Sequence, residues 1–329
     1  MDKILTVSIA AYNVENFIEQ CLKPFANHTF DNVLEVLIID DGGTDDTVKI
    51  AQKYESSYPR IFKVVHKENG GWGSTVNYGI ENAHGKYFKQ LDGDDHYNIK
   101  FIGRFLEFLS NSDADIVYTP FDVFENESDR FIYHEQEKIF ELYTIYNLND
   151  IDRIALRMHT LTFKTSNLRQ NKIKLLEKCF YTDVELVIKA LYSSKTIEFT
   201  DIPVYCYRVG RTEQSVSFSS MIKHYKEHEM VLFQLIGVYK EHMGDKKNNF
   251  IAHRIRQMVD VNYEILVHMK PTSENKKRMV LFDKKLSHFE DFYDVSNKKI
   301  VVMRKTKFRT YLPLLIYARL KKNKAEQVY

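Results

Sequence analysis

The sequence predicts an α/β chain with a mostly parallel, doubly wound sheet, followed by a helical region. Three observations carry this. Over the first 120 residues, short apolar runs alternate with stretches of helical spacing. Turns rich in Asp, Asn and Gly follow several of those runs. From about residue 221 onward, helical spacing dominates.

The elements follow in order. Residues 5–11, LTVSIAA, form a first buried strand. Val14, Phe17, Ile18, Cys21, Leu22 and Phe25 then recur at helical spacing. Residues 33–40, VLEVLIID, form a second buried strand, and DDGGTDDTVKIAQKY turns into a helix with Thr44 or Asp45 as its cap. Residues 61–67 form a third strand, and NGGWGSTVNYGIENA is a glycine-rich loop entering a helix. KYFKQL, 86–91, forms a fourth strand, ahead of a helix near 99–110 and the stretch ADIVYTPF. Residues 121–143 are β-like and charged, and a second mixed section runs to 211. Repeated βα units imply parallel strands covered on both faces. Ligands bind at the carboxyl ends of such strands. That rule gathers Tyr12–Asn13, the run from Asp40 to Asp46, and the run from Asp92 to Asp95 at one edge.

Composition narrows the classes. Lys plus Arg is 47 against 45 for Asp plus Glu, which argues against a nucleic-acid partner. Cys21, Cys179 and Cys206 are far apart and odd in number, which predicts neither a disulfide frame nor a zinc site and suits a reducing, cytoplasmic compartment. The first residues lack a signal-peptide pattern, and no apolar run reaches the length of a membrane span.

FKQLDGDDHY sets Asp92, Asp94 and Asp95 within four residues of one another. Three such carboxylates repel unless a cation joins them, and Mg²⁺ or Mn²⁺ suits oxygen ligands that share the shell with phosphates. The alternative is a solvated turn with Asp95 capping the next helix. In IIDDGGTDDT, the strand-end carboxylates suit a ribose or the N–H of a base, while Asp45 and Asp46 suit capping. Neither GxxxxGK[ST] nor GxGxxG after the first strand is present, which argues against P-loop and nicotinamide readings.

VSIAAYNVENFIEQCL, VLIIDDGGTDDT, NGGWGSTVNYGIENAHGKYFKQLDGDD, YTDVELVIKAL and PVYCYRVGRTEQSVS together resemble the family 2 glycosyltransferases, strongly over residues 4–120 and more loosely over 155–217. The resemblance implies a GT-A fold with a nucleotide-sugar-binding domain over 1–218, a donor half of about 1–120 and an acceptor half of about 121–218; the helical spacing beyond it marks a helical region over 219–329 with a basic tail. It implies a UDP-sugar donor, with Ala11 and Tyr12 lining the base pocket, Asp41 on the uracil edge and Asp92 near the ribose or metal waters. It further implies Asp94 as ligand to Mn²⁺ or Mg²⁺ and Asp183 as the base of an inverting displacement. Arg208 and Arg211 fall where such enzymes carry basic residues near the diphosphate. Thr182 stands where the family usually has Glu, and Val76 where many members have Arg.

Simpler readings stand beside these. Asp183 suits the cap of the helix VELVIKALY, and Glu185 is a second candidate base. Trp72, the one Trp, suits stacking on a sugar or packing of its loop. His66, His84 and His96 read as structural, whereas His159 in RMHTLTF is a candidate on the acceptor side. In MRKTKFRTYLPLLIYARLKKNK, basic residues bracket residues 311–318. That pattern suits a docked terminal helix or a peripheral segment on an anionic membrane, the latter favoured if the acceptor is a lipid-linked glycan. Oligomerisation through the helical region is open. A nucleotidyltransferase is a rival reading, but AAYNVENF lacks its basic glycine-rich loop. A non-catalytic sugar-binding module is another, and it would tolerate loss of Asp94 and Asp183.

Overall fold

A computed structural model describes residues 3–126, 128, 130–154, 156–210, 218–294 and 297–316. The chain divides into two compact units, residues 1–212 with 244–247, and residues 213–243 with 248–329.

The first unit opens with β1 (Lys3–Ala11), α1 (Ile18–Leu22), β2 (Leu34–Asp40), α2 (Thr47–Ser57), β3 (Phe62–His66), α3 (Trp72–Asn82) and β4 (Gly85–Asp92). It continues with β5 (His96–Tyr97), α4 (Ile99–Asn111), β6 (Ile116–Tyr118), β7 (Phe121–Glu125), β8 (Phe131–Glu135) and β9 (Ile145–Asn147). Then come β10 (Leu161–Lys164), α5 (Thr165–Gln170), α6 (Thr182–Ser193), β11 (Thr196–Phe199) and β12 (Tyr205–Val209). One sheet has the order β3-β2-β1-β4-β10-β6-β11-β9, and a second has β5-β12-β7-β8. β3, β2, β1 and β4 run parallel, and β10 is antiparallel to both of its neighbours.

β1 and β2 are mostly apolar because they are covered on both faces: Val7, Ile9, Val36 and Ile38 are fully buried, and so are the polar Thr6 and Ser8. α4 buries Ile102, Phe105, Leu106 and Leu109, one stripe of helical spacing. Its cap is Asn98, whose side chain accepts from Lys100 N, and not Asp95. Asp45 does hold the first N–H of α2, accepting from Thr47 N at 3.0 Å. α1 is shorter than its spacing predicts. Pro24 has no N–H for the carbonyl of Gln20, and the chain tightens into a 3₁₀ turn at Lys23–Phe25.

The segment Gly244–Lys247 belongs to the first unit although helices of the second flank it. Lys247 Nζ donates to the carbonyls of Leu191, Tyr192 and Ser194 at 3.2, 3.2 and 3.0 Å. These carbonyls lie at the C-terminal end of α6, where main-chain acceptors run short of helical donors, Leu191 O taking only the capping N–H of Ser194.

The second unit contains α7 (Phe218–Lys223), α8 (Tyr225–Glu241), α9 (Asn248–His268), α10 (Ser273–Leu286), α11 (Glu290–Tyr293) and α12 (Lys298–Lys305). Its buried Asp283 accepts from Tyr263 Oη at 2.6 Å and Arg304 Nε at 2.7 Å, a charge-assisted tie between α9, α10 and α12. Lys305, Lys307 and Arg309 are exposed, while Tyr311 and Leu315 are buried, so the start of the C-terminal apolar run packs inward. Arg319, Lys321, Lys322 and Lys324 lie outside the described residues. Among the described residues no helix is long and apolar enough to cross a membrane.

Candidate active site

Register brings the polar turns together. β1 pairs Ala11 with Asp40 of β2, and Ala10 with Asp92 of β4. The chain leaves β1 toward β2 and β3, then returns to place β4 on the other side of β1. That reversal makes the carboxyl ends of β1 and β4 a topological switch point, where open α/β sheets hold ligands.

The DGDD stretch is a tight turn, with Gly93 N donating to Ala10 O at 2.9 Å and Asp95 N to Asp92 O at 3.0 Å. Asp95 is 2% exposed and accepts from Tyr205 Oη at 2.6 Å and from Arg208 N at 2.7 Å. Asp92 accepts from Trp72 Nε1 at 2.7 Å. Burial, reinforced by Asp94, pushes the Asp92 carboxyl up to about 7 against the pull of the Trp72 N–H. Burial also raises Asp95 well above the usual carboxylate range, with Asp94 and Asp92 adding to it. Two carboxyls that resist ionisation side by side are what a cation would relieve.

His159 completes the group. Ligand atoms of Asp92, Asp95 and His159 lie within 4.8 Å of one another. The imidazole contacts the rings of Phe121, Tyr205 and Tyr207, and its Nδ1 is buried without a hydrogen-bond partner. Burial, with Lys89 and Arg157 behind it, lowers His159 to about 3 and keeps the ring neutral. Two carboxylates and a neutral imidazole fit a divalent metal, and the nitrogen favours Mn²⁺ over Mg²⁺. The donors already on Asp95 leave lone pairs available, since a carboxylate has about four such sites.

The membership of this group differs from expectation. Asp94, the expected ligand, is not one of the three, although its charge raises Asp92 and Asp95. His159, expected on the acceptor side, is one of them. Arg208, expected near a diphosphate, is 4% exposed and braces the turn: Nε donates to Asp94 O at 3.1 Å, and another guanidinium nitrogen donates to Gln20 Oε1. Arg211 lies outside the described residues.

The glycine-rich loop is tied down by Asp41, which is 4% exposed. Its carboxylate accepts from Gly70 N at 2.9 Å, Gly71 N at 2.7 Å and Lys67 Nζ at 2.7 Å. Gly71 has φ +80°, which glycine adopts without strain. A Cβ on Gly73 would stand 2.0 Å from Leu176 O, so α3 can pack there only through glycine. Trp72 therefore leaves the loop at a fixed point and reaches Asp92. The neighbouring Asp40 is fully buried and accepts from His66 Nδ1 at 2.6 Å. Ala11 is buried at its strand end, and Tyr12 beside it is 53% exposed.

Asp183 is exposed in the first turn of α6, and its charge reaches Asp92. Glu185 is fully buried and accepts from Leu176 N at 3.0 Å and Lys189 Nζ at 2.6 Å, which commits it to α6. Sequence reasoning missed Tyr205 and Lys89. A tyrosine in an apolar strand needs a partner for its hydroxyl, and a lysine inside KYFKQL needs acceptors. Those were the available signals, but neither names the partner.

A family model described as Glycosyl transferase family 2 matches residues 6–180, more than half of the chain. EpsJ of Bacillus subtilis (strain 168), an uncharacterized glycosyltransferase, is 34% identical over 133 residues, covering 40% of this chain and 38% of its own. The minor teichoic acid biosynthesis protein GgaB of the same organism is 25% identical over 308 residues, covering 90% of this chain and 33% of its own. The chain thus spans less than two thirds of the length of these relatives. Among solved structures, S. aureus TarS 1–349 in complex with UDP-GlcNAc has TM-score 0.61 at 19% identity, covering 97% of this chain and 88% of that one. The mannosyltransferase PcManGT of Pyrobaculum calidifontis, in complex with GDP-Man and Mn²⁺, has TM-score 0.52 at 12% identity, with the same coverage of 97% and 88%. The family model thus takes in the strand-end turns, the glycine-rich loop and the acidic turn, and the chain belongs to glycosyl transferase family 2, with the GT-A fold.

Proposed function

We propose that the chain transfers a hexosyl or N-acetylhexosaminyl group, with inversion and with the help of a divalent metal, from a UDP-sugar to a hydroxyl of a glycan or lipid-linked acceptor. The observation that carries this is the group Asp92, Asp95 and His159 at the carboxyl ends of β1 and β4. Support for a nucleotide-sugar donor comes from the complexes of TarS with UDP-GlcNAc and of PcManGT with GDP-Man.

Asp92, Asp95 and His159 would hold the metal, with Asp94 contributing charge at the rim. Bound there, it would stabilise the charge that grows on the leaving diphosphate. Exposed Tyr12 and buried Ala11 would wall the base, while Asp41 fixes the loop beside it. Trp72 holds the Asp92 carboxylate in place through its indole N–H. Asp183, at the start of α6, would take the acceptor hydroxyl's proton as that oxygen attacks the anomeric carbon. The C–O bond to the diphosphate breaks as the new one forms, and no covalent enzyme intermediate is needed. The exposed basic residues of the C-terminal segment would favour an anionic membrane surface at the cytoplasmic face.

A thermal-shift panel tests this, with UDP, GDP, CDP and TDP each in Mn²⁺ and in EDTA. A ligand at about 100 times its dissociation constant adds about 2.7 kcal/mol to stability. A Mn²⁺-dependent shift with UDP is the expected result. A shift with another nucleotide reassigns the donor. No shift from folded protein favours a non-catalytic module.

A further inference from the structure

Lys89 lies on the central strand β4 and is fully buried. Its neighbours on the same face, Tyr87 and Leu91, belong to the apolar core. Packing alone would be met by an apolar side chain at this position too. Lys89 Nζ instead donates to His159 O at 2.9 Å, Leu161 O at 3.1 Å and Thr119 Oγ1 at 3.4 Å. Burial lowers Lys89 to about 7, and the three acceptors match the three donors of its protonated form. Among the described residues no carboxylate forms an ion pair with Lys89. The ammonium therefore binds main chain, and that main chain belongs to the short turn Met158–Thr160, which carries His159, and to the start of β10.

We propose that Lys89 is a positioning residue for the metal: it grips the carbonyls of His159 and Leu161 on either side of Thr160, and so holds the His159 ring against Asp92 and Asp95. The inference rests on the metal reading given above. That turn is otherwise held by Thr160 N donating to Arg157 O at 3.0 Å and by Thr119 N donating to Thr160 O at 2.8 Å. Neither bond fixes the carbonyl of His159 itself. The aromatic wall of Phe121, Tyr205 and Tyr207 limits the ring's tilt, and Lys89 sets the main chain from which the ring projects.

The test is a double-mutant cycle on Mn²⁺ affinity, with Lys89→Met, His159→Ala and the pair, each checked for folding in EDTA. Binding is read from quenching of the single Trp72, whose indole N–H touches Asp92. Lys89→Met should weaken Mn²⁺ about tenfold when His159 is present and hardly at all in His159→Ala, because the lysine acts through that ring. An equal loss in both backgrounds, or none in either, overturns the proposal. If Lys89→Met does not fold, Lys89→Gln keeps an amide donor and takes its place, with the same dependence on His159 expected. If the unaltered protein binds no Mn²⁺, the metal reading itself fails and this inference falls with it. Binding by the unaltered protein with no coupling in the cycle sinks the inference alone.

Discussion

Trp72 and Asp92, on two different βα turns, meet through one hydrogen bond of 2.7 Å from indole N–H to carboxylate. It joins the loop that Asp41 organises to the turn that holds the acidic group. Trp72→Phe keeps the ring and removes the donor. A hydrogen bond to the charged form favours ionisation, so its loss should raise Asp92 further and weaken Mn²⁺ binding at pH 7 by about tenfold. Calorimetric titration of Mn²⁺ into the variant measures this, and unchanged affinity would show that the bond only packs the loop.

Asp92, raised to about 7 from the ordinary 3.8 of its carboxyl, makes stability depend on pH. Its folded carboxyl binds a proton more tightly than the unfolded one. The stability it contributes is complete below about pH 4 and is lost as pH rises through about 7. Metal-free protein should therefore lose melting temperature across that interval. Mn²⁺ affinity should move the opposite way, falling by at least about tenfold per pH unit below 7, because the metal displaces protons from Asp92 and Asp95. Melting curves with and without Mn²⁺ between pH 5 and 8 test both signs.

Asp183→Asn should lower kcat by about 10²–10⁴, the usual contribution of a general base. UDP and Mn²⁺ binding should be retained, since Asp183 is not in the metal group and only adds to the rise of Asp92. Near-normal turnover would remove it as the base. Glu185 would not replace it, being held by Lys189 and Leu176 N.

Asp41→Asn should act on stability first. It removes the charge that Lys67 and the N–H groups of Gly70 and Gly71 share. Hydrogen bonds to charged groups are worth about 1.5–3 kcal/mol, so a loss of about 2 kcal/mol is expected. That corresponds to about 4–8 °C in melting temperature for a unit of this size. A variant that melts normally but no longer binds UDP would instead put Asp41 on the nucleotide.

The parts of the site legible in the sequence are those fixed by short range. The apolar runs of β1, β2 and β4 and the turns that follow them could be read directly, because alternation and turn chemistry are local. The sheet rule gathers the turns at Tyr12–Asn13, Asp40–Asp46 and Asp92–Asp95 at one edge, and the register pairs Ala11 with Asp40 and Ala10 with Asp92. The membership of the metal group could not be read this way. Asp95 and Tyr205 are 110 residues apart, and Lys89 and His159 are 70 apart. A run of three aspartates does not say which two turn inward. Here Tyr205 and the Arg208 N–H draw Asp95 in, and Trp72 secures Asp92. The acceptors of Arg208, Asp94 O and Gln20, lie far from it along the chain, so its bracing of the turn was not legible there.

The bond from Lys247 to the end of α6 has a consequence for how the chain is made. All the acidic residues of the site, and α6 itself, leave the ribosome before residue 247 does. Until then the carbonyls of Leu191, Tyr192 and Ser194 at the end of α6 lack their cation. The first unit is complete only after α8 has been synthesised, because it takes in residues 244–247.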